Sequence, residues 1–301
     1  MEVLTRYYAT DAVRERIVEF LGGLLPDQGS CEYILAFKDD DKASAEPRHP
    51  SELPDCLRHG CDISRSLWDR NQLVVHLDIE YVNFDFPGEA YLHPDRAFQV
   101  QRPVVRAIQE VLLRLKIAPL HLLTGRGHHF VWGIRRNSRA FGELARLGRV
   151  PETALGAYAL RHPPHRKTVD AELAHAFAGI GLVMEHLGFL VKQHAAPSSP
   201  APIQLTDVEV GACDRDSPGR EAVSIDISEY ADPLHMRHIR VPFSAYLKPQ
   251  RNRPTFGSHV VDQMPLMFQI PLFEMTEHDA IAVMRDAKQT ADLARRAPVR
   301  I

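Results

Sequence analysis

Val13, Ile17, Leu21 and Leu24 recur at intervals of three and four, which predicts an amphipathic helix over residues 11 to 25, closed by the Pro26-Asp27 break. The run CEYILAF then reads as a short strand, and DDDKASAEPRHPSELPD as a polar, proline-rich loop. Residues 73 to 84, LVVHLDIEYVNF, are β-branched and apolar on both alternating faces, the pattern of a strand buried on both sides. A helix is expected over residues 103 to 116, with Pro103 at its first position and Val104, Ile108, Val111, Leu112 and Leu115 on one face. It leads into HLLTGRGHHFVWGI, a strand, a glycine turn and a second strand.

Residues 171 to 191 form a second expected helix, AVSIDISEY and HIRVPFSAYL read as strands, and Thr276 with Asp279 opens a final helix running to about Arg296. This order predicts a mixed α/β (α+β) fold rather than an all-helical or all-β one. The stretch AAPSSPAP, residues 195 to 202, reads as a linker or loop between an N-terminal α/β lobe (1 to 194) and a C-terminal part (203 to 301), unless the two form one continuous domain.

With 301 residues, 45% of them hydrophobic, the chain can bury a sizeable core. It has no uninterrupted apolar stretch of membrane-spanning length and no basic-then-apolar leader, so a cytoplasmic protein with no membrane partner is expected. The four cysteines, Cys31, Cys56, Cys61 and Cys213, are too scattered for a disulfide scaffold and read as free thiols. Cys56, His59 and Cys61, with Cys31 as a fourth donor, offer zinc-binding atoms but lack the usual two-residue cysteine spacing. A net charge of -3 excludes a uniformly basic nucleic-acid coat, so any grip on a polyanion has to be local. Arg237, His238, Arg240, Lys248, Arg251 and Arg253 make one basic run, of a kind that is more often a solvated surface.

Against this background the acids inside apolar strands stand out. Asp78 and Glu80 project from the same face of their strand, roughly 7 Å apart, a spacing suited to holding one or two hard cations such as Mg²⁺ or Mn²⁺. Carboxylates there need a metal, a basic partner or a solvent-filled cleft, and the residues alone do not choose among the three. Asp226 in VSIDISEY repeats the pattern as a third acid, with Asp232 as its rival; Asp232 precedes Pro233 and reads better as a turn residue. In the turn, Gly125 and Gly127 leave backbone amides open to an anion, Thr124 and Arg126 add a hydroxyl and a guanidinium, and His128 and His129 point to opposite faces. Arg240 and Lys248 follow Asp226 closely enough to neutralise a triphosphate.

In this order the elements resemble the three signature motifs of the archaeo-eukaryotic primase superfamily, the primase-polymerases. LDIEYVN is similar to the first, acid-x-acid motif; TGRGHHFVW to the second, with His129 as its histidine; SIDISEY followed by HIRVPFSAYLK to the third. The likeness covers about a third of the chain. Glu80 stands where many members have aspartate and Thr124 where serine is usual, and PFSAYLKP lacks the ending of archaeal and eukaryotic primases. No full zinc knuckle or helicase segment is recognisable.

The resemblance implies a two-lobed catalytic core with mixed sheets flanked by helices and a part like an RNA-recognition fold. It implies template-directed primer synthesis or extension from NTP or dNTP, a DNA primase or polymerase activity. One or two Mg²⁺ or Mn²⁺ ions would sit on Asp78, Glu80 and Asp226, and Thr124, Arg126, Gly127, His129, Arg240 and Lys248 would hold the nucleotide. Single-stranded template and primer are the implied partners, with room for an accessory subunit or helicase. Two other classes use the same residues: a metal-dependent nuclease or other phosphoryl-transfer enzyme, and a non-catalytic nucleotide- or nucleic-acid-binding module.

Overall fold

The two-sided apolar pattern of residues 73 to 84 is realised as a twelve-residue central strand, β3 (Gln72–Asn83), buried over nearly its whole length. The computed structural model describes residues 2–24, 29–38, 46–160, 167–205 and 220–301. The Pro26-Asp27 break, the DDDKASA part of the proline-rich loop and Cys213 lie outside the described residues.

β3 is the middle of a six-stranded sheet. Around it lie β4 (Leu120–Leu123), β5 (Gly127–Arg135), β8 (Ile203–Gln204), β9 (Glu221–Asp226) and β11 (Ile270–Pro271), in the order β11-β4-β5-β3-β9-β8. All neighbours run antiparallel except β8 and β9, so the sheet is mixed as expected. A second, antiparallel sheet orders β1 (Ile34–Phe37), β2 (Asp62–Ser66) and β10 (His238–Arg240) as β1-β2-β10. A small ribbon joins β6 (Ala159–Leu160) to β7 (Lys167–Thr168). Both larger sheets draw strands from before and after residues 195 to 202.

Helices cover the back of the six-stranded sheet. Pro94–Arg114 packs on β3 and β5, and Ala171–Ala195 packs on that helix and on Arg139–Leu147. The close fit between Ala171–Ala195 and Arg139–Leu147 depends on Gly148 and Gly179, where an added Cβ would come within 2.1 Å of the facing backbone. Ala171–Ala195 is long and apolar enough to cross a bilayer, but half of its most apolar stretch is buried in the protein.

Several boundaries differ from the periodic reading. The helix expected from Pro103 starts at Pro94, and Pro103 lies inside it. An internal proline costs about 3 kcal/mol, and the burial of Val100, Gln101, Val104 and Val105 on either side offsets it. The expected C-terminal helix is two helices, Glu277–Val283 and Ala287–Ala294. Asp286 restarts it as an N-cap by accepting from the amides of Lys288 and Gln289, while the Thr290 hydroxyl caps the Val283 carbonyl. HIRVPFSAYL supplies only three strand residues, because Pro242 cannot donate and Phe243 turns into the left-handed region at φ 65°.

Cys31, Cys56 and Cys61 are buried free thiols. Among the described residues they form no metal-ligand group with His59, which is exposed and binds the Asp55 carbonyl at 2.8 Å.

On the back face His121 and His128 sit 3.0 Å apart, between Phe98 and Phe130. Burial pushes His121 down to about 4 and His128 well below its ordinary value. Both stay neutral in the fold, whereas the unfolded chain takes up protons near 6.5. The associated stability is therefore complete above that pH and is lost as the pH falls toward about 4. Lowering the pH from 7 to 5 should cost about 2 kcal/mol through His121 alone. His121→Gln should shrink the acid-induced drop in urea midpoint, and an unchanged drop would refute the assignment.

Candidate metal and nucleotide site

Antiparallel pairing sets Asp78 opposite His129 on β5 and opposite Asp226 on β9. Directly opposed residues share a face, so the acid of the first motif, the histidine of the second and the acid of the third form one row across three adjacent strands. In the next row Glu80 is opposite Gly127 and Ser224. His76 occupies the same face one step before Asp78, and His128 faces the helices.

This face is the floor of a cavity of about 680 Å³ lying between the two larger sheets. Its floor carries His76, Asp78, Glu80, His129 and Asp226, and the opposite wall is basic, with Arg237, His238, Arg240, Lys248 and Arg251. Most of the basic run is therefore drawn into the cavity instead of lying on an open surface. Asp232 is half-exposed on the turn and paired with Arg237, outside the lining.

Each charged group is held from behind. Burial alone would raise the Asp78 carboxyl, but the His129 imidazole, with Nε2 at 3.2 Å, and His76 beyond it hold it well below the usual carboxylate range. Burial takes His129 down to about 4, so it is neutral near pH 7. Asp226 is fixed by the Ser228 amide at 2.8 Å and the Ser228 hydroxyl at 2.6 Å. Arg240 forks onto Asp62 at 2.8 and 2.9 Å and lies over the Tyr246 ring. Asp62 holds the Arg240 guanidinium above its ordinary value despite burial. Lys248 is lowered, first by burial and then by Arg126.

The side chains of the glycine turn are turned inward. Arg126 is buried and ion-paired to Glu80, which Lys248 also approaches at 3.6 Å. Thr124 is fully buried, its amide donating to the Gly127 carbonyl. Gly127 is required by packing, since a Cβ there would fall 1.8 Å from the Ile79 carbonyl oxygen. Thr124, Arg126 and Gly127 do not line the cavity; Asp78, Glu80, Asp226, His129, Arg240 and Lys248 do.

A cation finds suitable donors at the floor. Ligand atoms of His76, Asp78 and His129 lie within 4.8 Å of one another, and neither Glu80 nor Asp226 belongs to that group. Asp78 Oδ1 and His76 Nε2 are buried polar atoms without a hydrogen bond. Sequence reasoning missed His76, Glu229 and Asp62. The alternation that aligned Asp78 with Glu80 equally aligns His76, so that signal was readable; Asp62 carried none.

The sequence matches no protein-family model and no curated protein. The fold is nevertheless similar to that of a solved polymerase domain, and its mixed α/β architecture is the one expected. Among the solved structures it is similar to is the polymerase domain from Mycobacterium tuberculosis Ligase D in complex with DNA. The TM-score is 0.51 at 10% identity, covering 98% of this chain and 89% of that chain.

Proposed function

We propose that this chain is a metal-dependent nucleotidyltransferase that synthesises or extends a primer on a single-stranded template from NTP or dNTP. The observation that carries the reading is the row His129-Asp78-Asp226 on three adjacent strands, facing a basic wall across a cavity of nucleotide-accommodating size. Mg²⁺ or Mn²⁺ held by the floor acids would supply Lewis-acid activation of the attacking hydroxyl and charge relief at the leaving pyrophosphate.

The protein's own groups do the positioning. Arg240, pre-oriented by Asp62 and Tyr246, forks across phosphate oxygens, and Lys248 adds a point charge. Neutral His129 holds its ring against Asp78 and adds no second positive charge to the floor. Arg126 acts behind the site by fixing Glu80. That the similar polymerase domain was solved in complex with DNA supports a nucleic-acid template here.

The test is incorporation of labelled nucleotides on primed and unprimed single-stranded DNA with Mg²⁺, Mn²⁺ or Co²⁺. Template-dependent products are expected, and products without a primer would mark a primase. Shortened template in place of extended primer would identify a nuclease and overturn the proposal, as would no product with any of these cations.

A further inference from the structure

The acids of the floor account for a hard cation, but they leave His76 unexplained. Its side chain is buried, it stands on the cavity face beside Asp78, and its ring meets His129 edge-on at 4.5 Å between centroids. Its Nδ1 lies 2.9 and 3.1 Å from the two oxygens of Glu229. Accepting there, Glu229 fixes the proton on Nδ1 and leaves the Nε2 lone pair free. Nε2 is buried without a hydrogen bond, within ligand distance of Asp78 and His129.

The backbone of this residue is held as firmly as the ring. β9 stops pairing with β3 at Asp78, and the Tyr230 hydroxyl replaces it by accepting from the His76 amide at 3.0 Å and donating to its carbonyl at 2.5 Å. Glu229 and Tyr230 both sit in the single turn Ser228–Tyr230 that follows Asp226. One short segment therefore delivers the third-motif acid, the carboxylate behind His76 and the clamp on its backbone.

His129 has matching support. The Gln269 amide nitrogen lies 3.4 Å from its Nδ1, and the Gln269 amide oxygen is buried without a partner. Turned over, that amide accepts from Nδ1–H and frees the His129 Nε2 lone pair toward Asp78.

A carboxylate or amide behind each imidazole is the arrangement that orients metal-bound histidines. We infer that His76, oriented by Glu229, is a nitrogen ligand that with Asp78 and His129 makes this a mixed nitrogen-oxygen cation site, selecting an imidazole-binding divalent ion of the cobalt, nickel or zinc class over magnesium. This rests on reading the cavity as the nucleotidyl-transfer site and names the cation that site takes. Imidazole donors favour such ions, whereas Mg²⁺ demands oxygen ligands.

The full chain should be titrated with Co²⁺ and with Mg²⁺, followed by calorimetry and by the cobalt absorption spectrum. Wild type should bind Co²⁺ far more tightly than Mg²⁺. Glu229→Gln should weaken Co²⁺ by roughly 10- to 100-fold, and His76→Phe by at least as much, with the weak Mg²⁺ binding unchanged in both. Should His76→Phe fail to fold, pulsed electron paramagnetic resonance of Mn²⁺ bound to wild type decides the matter: coupling to two imidazole nitrogens supports the site. Coupling to one nitrogen or none, or equal Co²⁺ affinity in wild type and His76→Phe, overturns it. The metal and the reaction are read apart. Co²⁺ affinity lost in the variants with no incorporation under any condition leaves the metal site standing and removes the nucleotidyltransferase. Incorporation with Co²⁺ affinity indifferent to His76 does the reverse.

Discussion

Replacing Asp78 with asparagine should reduce nucleotide incorporation by roughly 10²- to 10³-fold, the scale on which losing one preorganised electrostatic contact slows an enzyme. Asp78 is the one residue paired in register with both other motif residues, His129 and Asp226. It is held ionised by the imidazole beside it in spite of its burial. Asparagine keeps the volume and one oxygen but removes the negative charge that a cation needs. Asp226→Asn should fall in the same direction, because Asp226 is oriented by Ser228 and lines the same cavity. Asp232→Asn should leave the rate within about twofold, since surface substitutions away from such features have small effects and Asp232 pairs with Arg237 outside the cavity. Steady-state kinetics on a primed template would check all three. Full activity in the Asp78 variant, or its loss in the Asp232 variant with Asp226→Asn active, would reassign the motifs.

What the sequence revealed and what it hid follow from the range of the interactions. Strand β3 was legible because its alternation is local, and the same alternation put Asp78 and Glu80 together. That Asp78 also meets His129 and Asp226 depends on the register of β3 with β5 and β9, which no local pattern fixes, although the order of the motifs anticipated it. Arg126 illustrates the limit. Its place in a glycine turn suggested a phosphate contact, yet β5 starts at Gly127, and the preceding guanidinium is carried inward to Glu80. From the basic run the sequence singled out only Arg240 and Lys248 for phosphate, and Arg237, His238 and Arg251 line the cavity with them. Only the pairing of β10 with β2 turns Arg240 toward the six-stranded sheet. Helix ends were misplaced where a single polar contact decided them, as Asp286 does by restarting a helix.

Asp62→Ala should destabilise the protein by about 3 to 5 kcal/mol, the cost of stripping the partner from a buried ion pair. The Asp62 side chain is inaccessible, and it accepts from Arg240 at 2.8 and 2.9 Å and from Arg251 and the Leu247 amide, each at 3.3 Å. Without it Arg240 remains among Tyr246 and Tyr91 with its charge unmatched. The loss should appear as a lower urea midpoint, and a wild-type midpoint would show that the carboxylate is dispensable. Both guanidinium groups line the cavity, so an anion entering from that side can take over what Asp62 supplied from behind. Millimolar pyrophosphate should therefore raise the midpoint of the variant by more than that of wild type, through its tighter binding to the folded state. Equal stabilisation of the two would mean that Arg240 and Arg251 are structural cations with no part in holding phosphate.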